Sequence, residues 1–186
     1  MTIFIIILAL SASPLDNHVE PPSLFATLVA RHPSRDERVE VELQISRCKR
    51  NVSHHADPYR VLALLRYETV LGVPEDHRGL LGAAWCWENA MRSEPVVGDN
   101  GASHGAFQMQ AWFWHWCRLP MQDEVMGDLL ISAACYWSRV EHYLDDGKCP
   151  GNVTRAEAMA ANGPKYKPHG CAAASKHSLE LARWRE

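Results

Sequence analysis

Leu81, Ala84, Trp85 and Glu88 fall at offsets of 0, 3, 4 and 7 residues, so a helix through them puts all four on one face. Glu88 is then a carboxyl on an apolar stripe, and burying an unpaired charge is costly. One explanation is a Glu at the helix edge paired with Arg92, four residues on. The other is an acid whose pKa is raised by apolar neighbours, ready to deliver a proton. Downstream, the segment Val97-Gly-Asp-Asn-Gly-Ala-Ser-His-Gly105 holds three glycines and the turn pair Asn100-Gly101, which predicts a tight hairpin or Gly-rich loop. It is not a phosphate loop, because no GKS or GKT follows and no apolar strand leads in. Asp99 is the nearby acid in sequence, and its place in Gly98-Asp99-Asn100-Gly101 explains it equally well as a turn former. Phe107 and Met109 alternate with Gln108 and Gln110, which predicts that the two pairs face opposite ways.

Trp112, Phe113, Trp114 and Trp116 follow, and three tryptophans in five residues exceed what one helical face can bury. Some are expected to line a groove, where sugar rings stack well; core packing is the alternative. Neither His54 with His55 nor His115 with Cys117 has metal-ligand spacing, and no CxxC pair occurs, so neither a metal nor a cofactor is expected. Ser103, Gln108 and Asn162 are candidate hydrogen-bonding partners of a substrate or of Glu88. Their plainer roles are a turn hydroxyl, a strand amide and a helix terminator.

The elements that must position these groups are mostly helical. The chain has 186 residues, enough for one domain with a short leader, and a net charge of −3, which gives no basic excess for nucleic acid. Ile3 to Leu10 form an apolar run followed by Ser11, Ala12, Ser13 and Pro14, the layout of a signal peptide over residues 1–13. The run is too short to cross a bilayer, so no stable membrane insertion is expected once the leader is cleaved. The six cysteines fit an exported, disulfide-bonded protein, periplasmic, extracellular or phage-associated, with 15 possible connectivities. Residues 14–56 read as a linker with short helices, and 57–186 as the main domain. Asp57-Pro58 opens a helix that stops at Gly72. Further helices are predicted over roughly 76–91, 123–145, 154–162 (opened by a Thr154-Arg-Ala-Glu157 capping box) and 175–184. The expected fold class is α+β, mostly α, with a small hairpin beside the Glu88 helix.

The order of these parts resembles the lysozyme-like superfamily, and within it the Slt-type lytic transglycosylases and related phage and bacterial muramidases. Ala83-Ala84-Trp85-Cys86-Trp87-Glu88 resembles the family's helix-Glu motif. Gly98-Asp99-Asn100-Gly101-Ala102-Ser103-His104-Gly105-Ala106-Phe107-Gln108-Met109 resembles its Ser-x-Gly-hydrophobic-hydrophobic-Gln motif, and Ala160-Ala161-Asn162-Gly163-Pro164 more loosely its Ala-Tyr-Asn-Gly motif. The resemblance implies a lysozyme-like fold over 57–186 and a monomer acting on peptidoglycan glycan strands. Glu88 would be the catalytic acid, with Asp99, Ser103, Gly105, Phe107, Gln108, Met109 and Asn162 around the substrate. The implied reaction cleaves the MurNAc-GlcNAc bond, by transglycosylation or by hydrolysis. A secreted module without turnover, peptidoglycan-binding or structural, is the third reading. Two positions depart from the pattern: Asn89 stands where the family has Ser, and Ala161 where it has Tyr, a role open to Tyr136 or Tyr166.

Overall fold

The computed structural model describes residues 23–48, 56–92, 97–146 and 149–162. Two helices come first. Ser23 caps α1 (Leu24–Val29), and Ser34 with Glu37 forms a reciprocal capping box on α2 (Arg35–Arg47). Both pack on α3 (Pro58–Leu71). Arg66 of α3 pins them there. Its guanidinium forks onto Glu37 at 2.8 and 3.0 Å and donates to the Leu28 and Arg31 carbonyls. That hydrogen-bonded guanidinium holds the Glu37 carboxyl down at about 2.

α3 runs as its sequence predicts. Asp57 accepts from the Tyr59 N–H, Pro58 opens the helix, and Gly72 closes it at φ 78°. The helix expected over 76–91 is instead two pieces. Glu75–His77 makes one 3-10 turn, and α4 (Leu80–Asn89) starts only after Gly79 at φ 87°. The reason is non-local, because the cap of α4 comes from α3 and not from an adjacent side chain. Leu80 through Cys86 are all buried, so α4 is apolar all round and runs through the core.

A three-stranded antiparallel sheet follows: β1 (Val97–Gly98), β2 (Ser103–His104) and β3 (Met109–Gln110) in that order. Val97 faces His104, Ser103 faces Gln110, and His104 faces Met109. The predicted hairpin is thus present, with a 3-10 turn over Asp99–Gly101. Next come α5 (Ala111–Trp116), α6 (Asp123–Gly127), α7 (Leu129–Asp145) and α8 (Val153–Asn162). The single helix expected over 123–145 is broken at Asp128, whose carboxylate accepts from the Leu130 and Ile131 N–H groups and starts α7 afresh. The predicted capping box at Thr154 is also corrected. Asn152 caps α8 by accepting from the Arg155 N–H, and Glu157 turns inward.

α7 packs against α3, α6 and α8, and the apolar faces of these helices meet α4 in one core. The whole is mostly helical with one small sheet. Disulfides Cys48–Cys86 and Cys117–Cys135 tie α2 to α4 and α5 to α7, and Cys149 is also disulfide-bonded. No helix among the described residues is long and apolar enough to cross a membrane. The leader (1–13), the helix expected over 175–184, Gly163, Pro164 and Tyr166 lie outside the described residues.

Candidate active site

Glu88 sits in the last turn of α4. Leu81, Ala84 and Trp85 on the same stripe are buried, while Glu88 is partly exposed, so the helix carries its carboxyl from the core to the surface. The helix then stops abruptly. Ala90 and Met91 take φ values of 51° and 56°, with the Ala90 N–H bonded to the Cys86 carbonyl. A left-handed conformation costs a non-glycine residue roughly 1–2 kcal/mol. Complete burial of Met91 offsets it and fixes the stop. Asn89, beside Glu88 in sequence, is buried with neither amide atom hydrogen-bonded.

The other end of α4 is held by a residue the sequence reading missed. Glu68 of α3 is 1% exposed and accepts from the Gly79 and Leu81 N–H groups at 2.6 and 2.7 Å. It supplies the missing cap of α4 from across the core. Burial pushes its carboxyl up to about 7, against those two hydrogen bonds and the nearby Arg78, and with some help from Glu40. A sequence signal for it existed: Val61, Leu64, Leu65 and Glu68 repeat the 0, 3, 4, 7 spacing of the Glu88 stripe.

Two aromatic rings join α7 to the sheet. Tyr136 of α7 is buried and donates a short hydrogen bond to Glu157 of α8. Burial, then the neighbouring Glu157 and Glu88 carboxyls, push the Tyr136 phenol well above its ordinary range. Phe107, in the turn between β2 and β3, stacks on Tyr136 at 4.9 Å. The turn that carries Phe107 is therefore stacked on a phenol that feels the charge of Glu88 as well as that of Glu157. Glu157 is a second residue the sequence reading missed. Val153, Ala156, Glu157 and Ala160 share the spacing 0, 3, 4, 7, so the same stripe rule would have found it.

The turn itself is tightly built. Gly105 has φ 77°, and a Cβ there would come within 2.5 Å of the Met126 carbonyl oxygen, so this backbone is seated on the α6–α7 corner. Gln108 is left-handed at φ 46°, and its Nε2 donates to the Gly105 carbonyl at 3.0 Å. Its Oε1 lies over Gly98, where a Cβ would sit 2.0 Å away. Gln108 thus closes the turn back onto β1 and is half-buried, while Gln110 faces out as predicted. Ser103 is buried on the central strand, and Phe107 and Met109 point into the core. Asp99 lies in the 3-10 turn between β1 and β2, and Asn162 is the last residue of α8. The aromatic cluster divides: Phe113 and Trp114 are buried, with the Trp114 indole N–H on the Met109 carbonyl, while Trp112 and Trp116 reach the surface.

Among the described residues no group of three His, Cys, Asp or Glu side chains is placed to hold a metal ion. A cavity of about 360 Å³ opens between α2 and α3, lined by Pro33, Val41, Ile45, Tyr59 and Leu62 among others, and carries none of the site residues. Comparison with protein-family models, curated proteins and solved structures finds no match to this chain.

Proposed function

We propose that the protein is a peptidoglycan lytic transglycosylase of lysozyme-like fold, with Glu88 as its single acid and base. Glu88 protonates the oxygen bridging MurNAc and GlcNAc, and the bond to the muramyl C1 breaks through an oxocarbenium-like state. The resulting carboxylate then takes the proton from the muramyl 6-hydroxyl, whose oxygen closes on C1. The products are a 1,6-anhydro-muramyl end and a free GlcNAc 4-hydroxyl, and Glu88 is protonated again.

One observation carries this assignment. Three carboxyls lie on apolar helix stripes, and Glu68 and Glu157 are sealed in the core with their partners. Glu88 alone is partly open to solvent, and its charge reaches the phenol on which Phe107, in the turn between β2 and β3, is stacked. Glu157 is occupied by Tyr136 and buried, which favours a one-carboxyl mechanism over a pair that must hold a water in an open groove. Glycan strands lie outside the cytoplasm, and the disulfides fit export to an oxidising compartment.

Mass analysis of muropeptides released from purified peptidoglycan tests the assignment. Anhydro ends are expected. Reducing ends would make the enzyme a hydrolase and direct attention to Asp99, and absence of any release would leave a binding module.

A further inference from the structure

Arg139 lies on α7 three residues beyond Tyr136, about one helical turn along the same face. It is 7% exposed. Aromatic rings surround its guanidinium carbon: Trp116 at 4.8 Å, Tyr143 at 4.9 Å, Trp112 at 5.3 Å and Phe113 at 6.0 Å, centre to centre. One Nη donates to the Tyr143 hydroxyl at 2.9 Å, and Nε has no partner. No Asp or Glu forms an ion pair with it among the described residues.

Ring faces attract a cation, but they do not supply lone pairs to N–H groups in the guanidinium plane. A buried arginine without a counter-charge is an expensive arrangement. Its planar fork matches the two-oxygen edge of a carboxylate or a phosphate, and apolar walls favour the singly charged carboxylate. Two walls of the cage reach the surface, and a disulfide holds them in place. Trp116 is 38% exposed and Trp112 half-buried, and Cys117–Cys135 ties their helix α5 to α7. Phe113 links the cage to the proposed active site by stacking in parallel on Tyr136 at 6.1 Å.

We infer that Arg139, framed by Trp112 and Trp116, is a carboxylate-binding subsite that takes an acid group of the muramyl unit, either the lactyl carboxylate or one on the stem peptide. The guanidinium would fork onto the acid while the exposed indole faces cover the adjoining sugar or alkyl surface. The identity of the acid's carrier rests on the proposed function; the preference for a carboxylate beside apolar surface does not.

Binding to the full protein, followed by tryptophan fluorescence, separates the cases. Three ligands are compared: N-acetylmuramic acid with its free lactyl acid, N-acetylmuramyl-L-alanyl-D-glutamate with only stem acids, and N-acetylglucosamine with neither. At least one acid ligand is expected to bind about tenfold or more tighter than N-acetylglucosamine, as charge-assisted bidentate pairing requires. The first acid winning identifies the lactyl group, the second the stem. Arg139→Met should erase the preference, and Arg139→Lys, which keeps the charge and removes the fork, should weaken it. Equal binding of all three ligands by the wild type overturns the subsite whether or not the variants fold. So does an undiminished preference in both variants. Glu88-dependent glycan cleavage with no acid preference would sink the subsite alone. Acid preference without any cleavage would support the subsite and sink the glycosidase assignment.

Discussion

Replacing Glu68 by Gln gives a stability effect that grows with pH. The Glu68 carboxyl titrates at about 7 in the folded protein against an ordinary value of 4.5. A raised folded value means that the stability this group contributes is complete below about 4.5 and is lost as pH rises through about 7. The difference corresponds to roughly 3 kcal/mol. Gln is a permanent mimic of the neutral acid: it accepts from one of the Gly79 and Leu81 N–H groups and does not ionise in the unfolded chain. At pH 4.5 to 5 wild type and Glu68→Gln should therefore unfold at similar urea concentrations. Above pH 8 the variant should be the more stable by about 3 kcal/mol, or about 6–12 °C in Tm for a chain of this size. Urea and thermal unfolding at half-unit pH steps, disulfides intact, provide the test. Taking the difference between the two proteins cancels the histidines and the other carboxyls. Parallel curves, with the variant weaker by the same amount at every pH, would refute the reasoning. They would mean that the two backbone hydrogen bonds and the positive end of α4 outweigh burial and keep Glu68 ionised throughout.

Four other outcomes are expected. Gly105→Ala should destabilise by about 2 kcal/mol or more in thermal unfolding, because its Cβ meets the Met126 carbonyl and its φ is positive. Tyr136→Phe should cost about 1–3 kcal/mol in urea by leaving the Glu157 carboxyl buried without its phenol. Replacing both Cys48 and Cys86 by Ser should lower stability by up to about 4 kcal/mol, as opening a loop with a sequence separation of 38 residues implies. Arg66→Met should flatten the acid limb of stability. Glu37, held at about 2, contributes stability that is full above 4.5 and disappears as pH falls toward 2, and the variant should lose most of that dependence, keeping the part due to Ser34.

How legible this molecule is in its sequence depends on how local each cause is. α3 could be read from end to end because Asp57, Pro58 and Gly72 each act within a residue or two. The start of α4 could not, since its cap reaches over from Glu68, eleven residues from Gly79 in the chain. The break between α6 and α7 had a local sign, Gly127-Asp128, that the continuous apolar spacing of 123–145 obscured. At α8, Thr154 and Glu157 had capping-box spacing, but Tyr136 competes for the same carboxyl from a distant helix. The candidate site was half legible. The stripe that singled out Glu88 also runs through Glu68 and Glu157, and only the three-dimensional surroundings separate a cap, a phenol partner and a partly open acid. The left-handed backbones at Ala90, Met91 and Gln108 had no glycine or asparagine to announce them. They arise where tertiary packing forces a stop or a turn.

The most direct test of the whole account is the rate at which purified peptidoglycan is solubilised by wild type and by Glu88→Gln with matched melting temperatures. A positioned proton donor is worth on the order of 100-fold or more, so the variant should fall at least that far. Equal rates in the two proteins would contradict the account.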